Sequence, residues 1–167
     1  DGGAKLETAR AELRIMKCIA VRCHESKAVF SHAIPVKGRD EDNFVANLIN
    51  ADVEFVGHVK LILKSDNEPA ILQLLGDALK TARVEIKELG QIQDAQAVTY
   101  DSKSNGDVED AVEQVTTLFR ALKICFGTRV GNQIPTSHPL LTWLVEHSVW
   151  LLNTRVVGTD GFTAYRR

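Results

Sequence analysis

The sequence predicts an α/β domain in which helices cover a mixed sheet, and three observations support that prediction. Two β-rich segments, 15–23 and 28–36, are separated by a short polar stretch, which is typical of a hairpin. After the hairpin, segments with helical spacing alternate with short apolar segments of strand type. The chain has 167 residues, of which 44% are hydrophobic and 25% charged, as expected for one globular domain.

The first helices and strands after the hairpin follow from local signals. Pro35 and Gly38 end the hairpin, and the acidic residues at 40–42 then precede a segment whose apolar residues have helical spacing. The apolar run 59–63 predicts a buried strand. The polar residues after that run lead into a helix that begins near Pro69, because proline suits a first helical turn.

The second half of the chain is predicted to be mainly helical. A weaker apolar pattern over 92–99 predicts a short strand, and the most regular apolar stripe of the chain predicts a long helix over 108–126. A last helix is predicted over about 139–156, with Thr136 or Ser137 as its cap. The resulting order is β-β-α-β-α-β-α-α.

Charge and cysteine content restrict the class of protein. The net charge is −2, which argues mildly against a nucleic-acid binder, since such proteins are usually basic. An apolar run of about 20 residues would be needed to span a membrane, and none is present, so we expect no membrane partner. Three cysteines form no disulfide framework and indicate a reducing, intracellular setting. We expect them to be buried structural thiols.

Two carboxylates occupy positions where α/β folds place catalysis. Asp66 follows the strand predicted over 59–63, and sites in open sheets gather at such strand ends. Glu109 lies at the start of the long helix, whose free N–H groups favour an anion such as phosphate. Carboxylates near a phosphate site suit Mg²⁺. From spacing alone, an alternative stays open in which Asp66 caps a helix and Glu109 offsets a helix dipole.

Several motifs together carry a resemblance to a known family. Residues 63–70 (LKSDNEPA) and 100–109 (YDSKSNGDVE) resemble the two signatures that hold the later acids of retroviral and retrotransposon integrase catalytic cores. Residues 28–38 resemble the strand and turn that precede the first helix of that family. Residues 138–147 (HPLLTWLVEH), with Asn153 and the segment 158–165, resemble the end of the core in retrotransposon polyproteins. The resemblance covers nearly the whole chain.

The resemblance implies a fold and a boundary. The implied fold is ribonuclease-H-like, with a five-stranded mixed sheet flanked by helices and a truncated first strand, since the central strand should precede Ile15. Residues 1–167 would be one integrase catalytic core domain, a fragment of a larger polyprotein. Asp66 and Glu109 match the second and third acids of the Asp-Asp-Glu triad, and Asp1 is the best match to the first. Asp1 as an incidental boundary residue is the alternative.

The resemblance also implies an activity. The chain would be a polynucleotidyl transferase and endonuclease that integrates DNA by 3′-end processing and strand transfer. Asp1, Asp66 and Glu109 would hold two Mg²⁺ or Mn²⁺ ions. The partners would be DNA and further copies of the chain, and the chain would act in the nucleus or in a virus-like particle. The implied DNA contacts are Asn67, Tyr100, Lys103 and Asn105.

Departures from the family pattern keep other functions open. The family often has lysines one and two turns after the catalytic Glu, where this chain has Glu113 and Thr116, and Asp107 adds a further carboxylate. Both changes weaken DNA binding, because phosphate contacts dominate affinity. The alternatives are a catalytically inactive nucleic-acid-binding or assembly module, a ribonuclease H or transposase-type nuclease, and an unrelated α/β interaction domain. Trp143 and Trp150 share a helix face, which favours packing in a core or against a partner over base stacking.

Overall fold

The computed structural model describes residues 16–38, 40, 42–65, 68–85, 91–96 and 106–167, and only the backbone is considered at 83–85 and 91–96. Within these residues the chain forms four strands and four longer helices. The strands are β1 (Lys17–Arg22), β2 (Val29–Ile34), β3 (Lys60–Ser65) and β4 (Gln91–Gln96), and the helices are α1 (Phe44–Val56), α2 (Pro69–Glu85), α3 (Gly106–Val130) and α4 (Leu140–Arg155). A single 3-10 turn, Ala164–Arg166, follows α4.

The predicted hairpin is confirmed. β1 and β2 pair antiparallel, with Lys17 opposite Ile34 and Arg22 opposite Val29. Lys27 in the connecting turn has a φ of 60°, a left-handed conformation that closes the turn. Because side chains alternate along a strand, the hairpin presents two faces that other elements can cover.

Helix α1 begins and ends as its sequence indicates. The Val45 backbone N–H donates to Asp40 Oδ2 at 3.1 Å, so an acid ahead of the helix satisfies one of its free donors. Gly57 then adopts a φ of 71° and its N–H donates to the Val53 carbonyl at 3.2 Å. Glycine accepts this left-handed conformation without a Cβ clash, which explains where the helix stops.

Strands β3 and β4 are parallel and are joined through α2, which makes a β-α-β unit. The strand over 59–63 is therefore confirmed, but its predicted burial is wrong. Ile62 is 67% exposed, whereas Leu61 and Leu63 pack against the hydrophobic core. Successive side chains point to opposite faces, and within the described residues only one face of β3 is covered.

The last two helices are confirmed, with one correction. Helix α4 begins at Leu140 after Pro139, so the predicted caps Thr136 and Ser137 lie outside it. His138 accepts instead, since the Leu140 N–H lies 3.1 Å from His138 Nδ1. Farther along α4, the Asn153 amide donates to the Val29 carbonyl at 2.7 Å and accepts from the Val29 N–H at 2.9 Å. This pair fixes α4 against the backbone of β2.

Two hydrophobic clusters lie on opposite faces of the hairpin. One unites α1 and α2 with Ile34 of β2 and with side chains of β1 and β3, so both strand pairs share it. The other joins Val29 of β2 to Ala111 and Val115 of α3 and to Val149 of α4. Helices therefore cover both faces of the hairpin, as the sequence predicts.

The strands form two separate pairs, β1–β2 and β3–β4, within the part of the chain that the structure describes. The predicted first strand falls before Ile15, outside the described residues. The five-stranded mixed sheet therefore stays a prediction, although side chains of the hairpin and of β3 pack into one cluster.

Candidate functional site

Glu109 lies in the first turn of α3 and is exposed. The buried stripe of α3 consists of Ala111 and Val115, while Val112 is 45% exposed. The apolar spacing of 108–126 also includes Val112 in the stripe beside Glu109, and the structure does not bury it. Among the described residues no hydrogen bond or ion pair to Glu109 is present, so its carboxylate can accept a ligand from solution.

Basic residues of the hairpin turn hold the acid just ahead of Glu109. Asp107 Oδ2 accepts from His24 Nδ1 at 2.7 Å and from Lys27 Nζ at 3.1 Å. The hydrogen bond from His24, followed by that from Lys27, holds the pKa of Asp107 below its ordinary value. Asp107 is therefore a paired carboxylate, in contrast to Glu109.

A second ion pair holds the acid just after Glu109. Arg22 Nη1 lies 3.0 Å from Asp110 Oδ2, and only 12% of the Arg22 side chain is exposed. Gln114, one turn farther along α3, donates to the same Asp110 oxygen at 2.8 Å. Asp110 thus ties the exposed side of α3 to the end of β1.

We call the five residues Arg22, His24, Lys27, Asp107 and Asp110 the turn clamp. It joins the hairpin turn to the first turn of α3, which otherwise rests on the hairpin through Ala111 and Val115. The effect is to orient the start of α3 and to neutralise the two acids that flank Glu109. The clamp leaves the Glu109 carboxylate as the unpaired negative charge of that turn among the described residues.

Most of the predicted site falls outside the described residues. The predicted catalytic and metal-binding acids Asp1 and Asp66 lie there, so whether they meet Glu109 stays a prediction. Among the residues whose side chains the structure describes, no group of three His, Cys, Asp or Glu residues is close enough together to bind a metal ion. The predicted DNA contacts also lie outside, namely Asn67, Tyr100, Lys103 and Asn105.

The two tryptophans of α4 lie on the surface. Trp143 is 47% and Trp150 50% exposed, so the prediction of a core position is wrong and packing against a partner stays a prediction. The His147 ring stacks between them, with centroids 4.5 Å from Trp143 and 5.6 Å from Trp150. Arg155 continues the row, 5.9 Å from the Trp150 ring. The seven-residue spacing places them on one face, but only the neighbouring elements decide whether that face is covered.

A cavity of about 510 Å³ opens between the hairpin turn, the end of α1 and α4. Its lining includes Phe55, His58, Trp150 and Tyr165. Arg167 closes one side, since its Nη1 donates to the Ser26 carbonyl at 3.2 Å. The volume lies in the range of small-molecule pockets.

Sequence reasoning missed the turn clamp, although its charges are visible. Three bases stand in the segment 22–27 and three acids in 107–110, which is a complementary pair of clusters. The paired residues are 80 to 88 positions apart along the chain, so no local rule brings them together. Pairing them requires knowledge that α3 packs on β1.

Comparison with known proteins identifies the fold. No protein-family model and no curated protein matches the sequence. The catalytic core domain of BIV integrase matches with a TM-score of 0.56 and 20% identity, over 89% of this chain and 82% of that domain. A chain of the simian T-cell lymphotropic virus intasome, in complex with a PP2A regulatory subunit, matches with a TM-score of 0.58 and 15% identity, over 90% of this chain and 51% of that one.

The chain therefore has the α/β fold of retroviral integrase catalytic cores. This confirms the resemblance that the sequence motifs indicate. Among the helices within the described residues, none combines the length and hydropathy that crossing a bilayer requires.

Proposed function

We propose that the chain is the catalytic core of a retrotransposon-type integrase, a polynucleotidyl transferase and endonuclease that joins DNA ends to target DNA. The observation that supports this most is the exposed, unpaired Glu109 in the first turn of α3, on a fold shared with integrase cores. In this proposal residues 1–167 form one core domain of a larger polyprotein.

Asp1, Asp66 and Glu109 would hold two Mg²⁺ or Mn²⁺ ions. The donor set fits, because carboxylate oxygens are the hard ligands that these ions prefer, and the neighbouring Asp107 and Asp110 are already paired with bases. When bound, such ions activate a water or a 3′-hydroxyl and stabilise the leaving oxygen at phosphorus. The first turn of α3 would orient a phosphate through its free N–H groups.

The DNA contacts and the assembly state extend the proposal. Asn67, Tyr100, Lys103 and Asn105 would contact the DNA ends ahead of Glu109. The intasome match supports DNA and further copies of this chain as partners, and the exposed row of Trp143, His147 and Trp150 offers apolar surface for assembly. The chain would then act inside the cell, in the nucleus or in a virus-like particle.

A Mn²⁺-dependent strand-joining assay on a labelled duplex and a plasmid target tests the proposal. We expect Glu109→Gln to lower joining at least a hundredfold, because the amide loses the charge that holds the ion. The matched control is Glu54→Gln, an exposed acid of α1 outside the proposed site, which should stay within about threefold of the unmodified chain. Equal joining by the Glu109→Gln variant would contradict the assignment, and Asp66→Asn tests the second acid in the same way.

One observation favours a second candidate, a catalytically inactive module that binds nucleic acid or supports assembly. Asp107 and Glu113 add acids at the start of α3, where Glu113 lies exposed, and acids oppose phosphate contacts. This candidate predicts DNA binding or self-association that does not change on removal of divalent ions, and no joining by any variant. A ribonuclease H-type nuclease would instead cleave without joining.

A further inference from the structure

A cluster of nucleophilic and titratable groups lies outside the proposed metal site. Cys23 directly follows β1, and its Sγ lies 3.3 Å from His58 Nε2 in the segment after α1. The Ser26 backbone N–H donates to the same sulfur at 3.4 Å. Glu25 Oε2 lies 3.6 Å from His58 Nε2, so a carboxylate stands beside the imidazole. A thiol and a base are thus in contact range, as in activated cysteines. The Glu25 carboxylate lies near the same ring nitrogen as the thiol, so it does not hold the imidazole through its other nitrogen.

The cluster borders a cavity, although Cys23 itself is not among the lining residues. Cys23 is partly buried, whereas Cys18 and Cys125 are exposed, which corrects the prediction that all three thiols are buried. His58, Glu25 and Ser26, the three residues around the sulfur, also line the cavity of about 510 Å³. Arg167 closes the cavity at Ser26 and adds a cation to the same wall.

We propose that Cys23 is a thiol modification site, which His58 and the Ser26 N–H activate toward small electrophiles and small disulfides that enter the adjoining cavity. Cys23 would react as a thiolate, because the thiolate and not the thiol is the nucleophile. The hydrogen bonds from Ser26 and His58 outweigh burial and lower the pKa of the Cys23 thiol. This proposal is independent of the integrase function.

The exchange reaction balances without a further reactant. The Cys23 proton passes to His58 Nε2, and the thiolate attacks one sulfur of a small disulfide. A new S–S bond forms to that sulfur, the original S–S bond breaks, and the other half leaves as a thiolate that can take the proton. An adduct would stand between Arg22 and His24, two bases of the turn clamp.

Competitive labelling with iodoacetamide on the full chain tests the proposal. Mass spectrometry gives the ratio of the Cys23 and Cys125 alkylation rates between pH 6 and 9.5, with Cys125 as the exposed reference thiol. We expect the ratio to be highest at pH 6 to 6.5 and to fall as pH rises. His58→Gln should lower the ratio at pH 6.5 about threefold, since a tenfold loss of thiolate per pKa unit is partly offset by higher intrinsic nucleophilicity.

Two outcomes would overturn the proposal. One is a ratio that does not change with pH, and the other is a ratio that the folded His58→Gln variant leaves unchanged. If that variant fails to fold, the pH profile of the unmodified chain decides alone. Cystamine provides the disulfide probe: at pH 7 we expect a mixed disulfide on Cys23 in preference to Cys125, reversed by dithiothreitol, and equal labelling of the two would count against the site.

Discussion

The two faces of the hairpin carry ion pairs of opposite character. On the α1 side, His32 Nε2 lies 3.0 Å from both carboxylate oxygens of Asp52, and 18% and 8% of the two side chains are exposed. At the turn, Asp107 meets His24 and Lys27 at similar distances, but about half of its side chain is exposed. The distance between the charged atoms therefore does not by itself determine how much an ion pair contributes to the free energy of unfolding.

Burial makes the difference between these two pairs. Removing one partner of a buried pair leaves a polar group that water cannot reach, whereas an exposed group regains its hydration. The His32–Asp52 pair therefore links β2 to α1, and its loss should lower the free energy of unfolding. The exposed pairs that Asp107 makes with His24 and Lys27 orient the start of α3 and contribute little free energy. The three experiments below test this contrast.

The largest expected effect comes from breaking the buried pair. Asp52→Ala should lower the free energy of unfolding by about 3 kcal/mol. The substitution removes the hydrogen-bond partner of His32 and leaves a space between α1 and β2. Chemical denaturation measures the change. Glu146→Gln is the matched control, since Glu146 lies 4.0 Å from His32 Nδ1 and is exposed, and it should change stability by less than about 0.5 kcal/mol. Equal effects of the two variants would show that burial does not decide the contribution.

The second expected effect is that the free energy of unfolding depends on pH because His32 titrates. The hydrogen bond that His32 donates to Asp52 raises the pKa of His32 above its ordinary value, against the opposing effect of burial. A raised folded-state pKa means that the stabilisation is complete below the unfolded value of about 6.5 and is lost as pH rises through the folded value. Burial also raises the pKa of Asp52, so the comparison is kept on the neutral and alkaline side.

Unfolding free energies at several pH values above 6.5 measure this dependence. The difference between the unmodified chain and His32→Gln should shrink as pH rises, because the glutamine side chain does not titrate. A difference that stays constant across this range would show that His32 does not carry the dependence.

The smallest effect is expected at the turn clamp. Asp107→Asn should cost less than about 1 kcal/mol of unfolding free energy at low salt, since exposed pairs are weak and screened. In about 1 M salt the cost should vanish, whereas that of Asp52→Ala should persist. Denaturation of both variants at two salt concentrations makes the comparison. If salt left the loss of unfolding free energy in Asp107→Asn unchanged, the Asp107 ion pairs would behave like the buried His32–Asp52 pair, and the contrast would be wrong.

Much of the fold could be predicted because its signals are local. The helix at 44–56 follows from apolar spacing and from the acid that meets the Val45 N–H, and the hairpin follows from two β-rich runs with a polar turn. Burial was less predictable: Ile62 and Trp143 are apolar yet exposed, since the face that they occupy is not covered by another described element. Of the candidate site, Glu109 could be placed on its helix, but the pairing of its neighbours could not.

The sequence by itself determined the order and type of the elements, and its motifs indicated the integrase-core fold before any coordinates. Both depend on residues close together along the chain, where backbone geometry imposes fixed periods. Only the tertiary structure decided which charges meet. His24 reaches Asp107, His58 reaches Cys23 and His32 reaches Asp52 across 83, 35 and 20 positions. Such contacts depend on how helices pack on the hairpin, and that packing is a property of the whole fold.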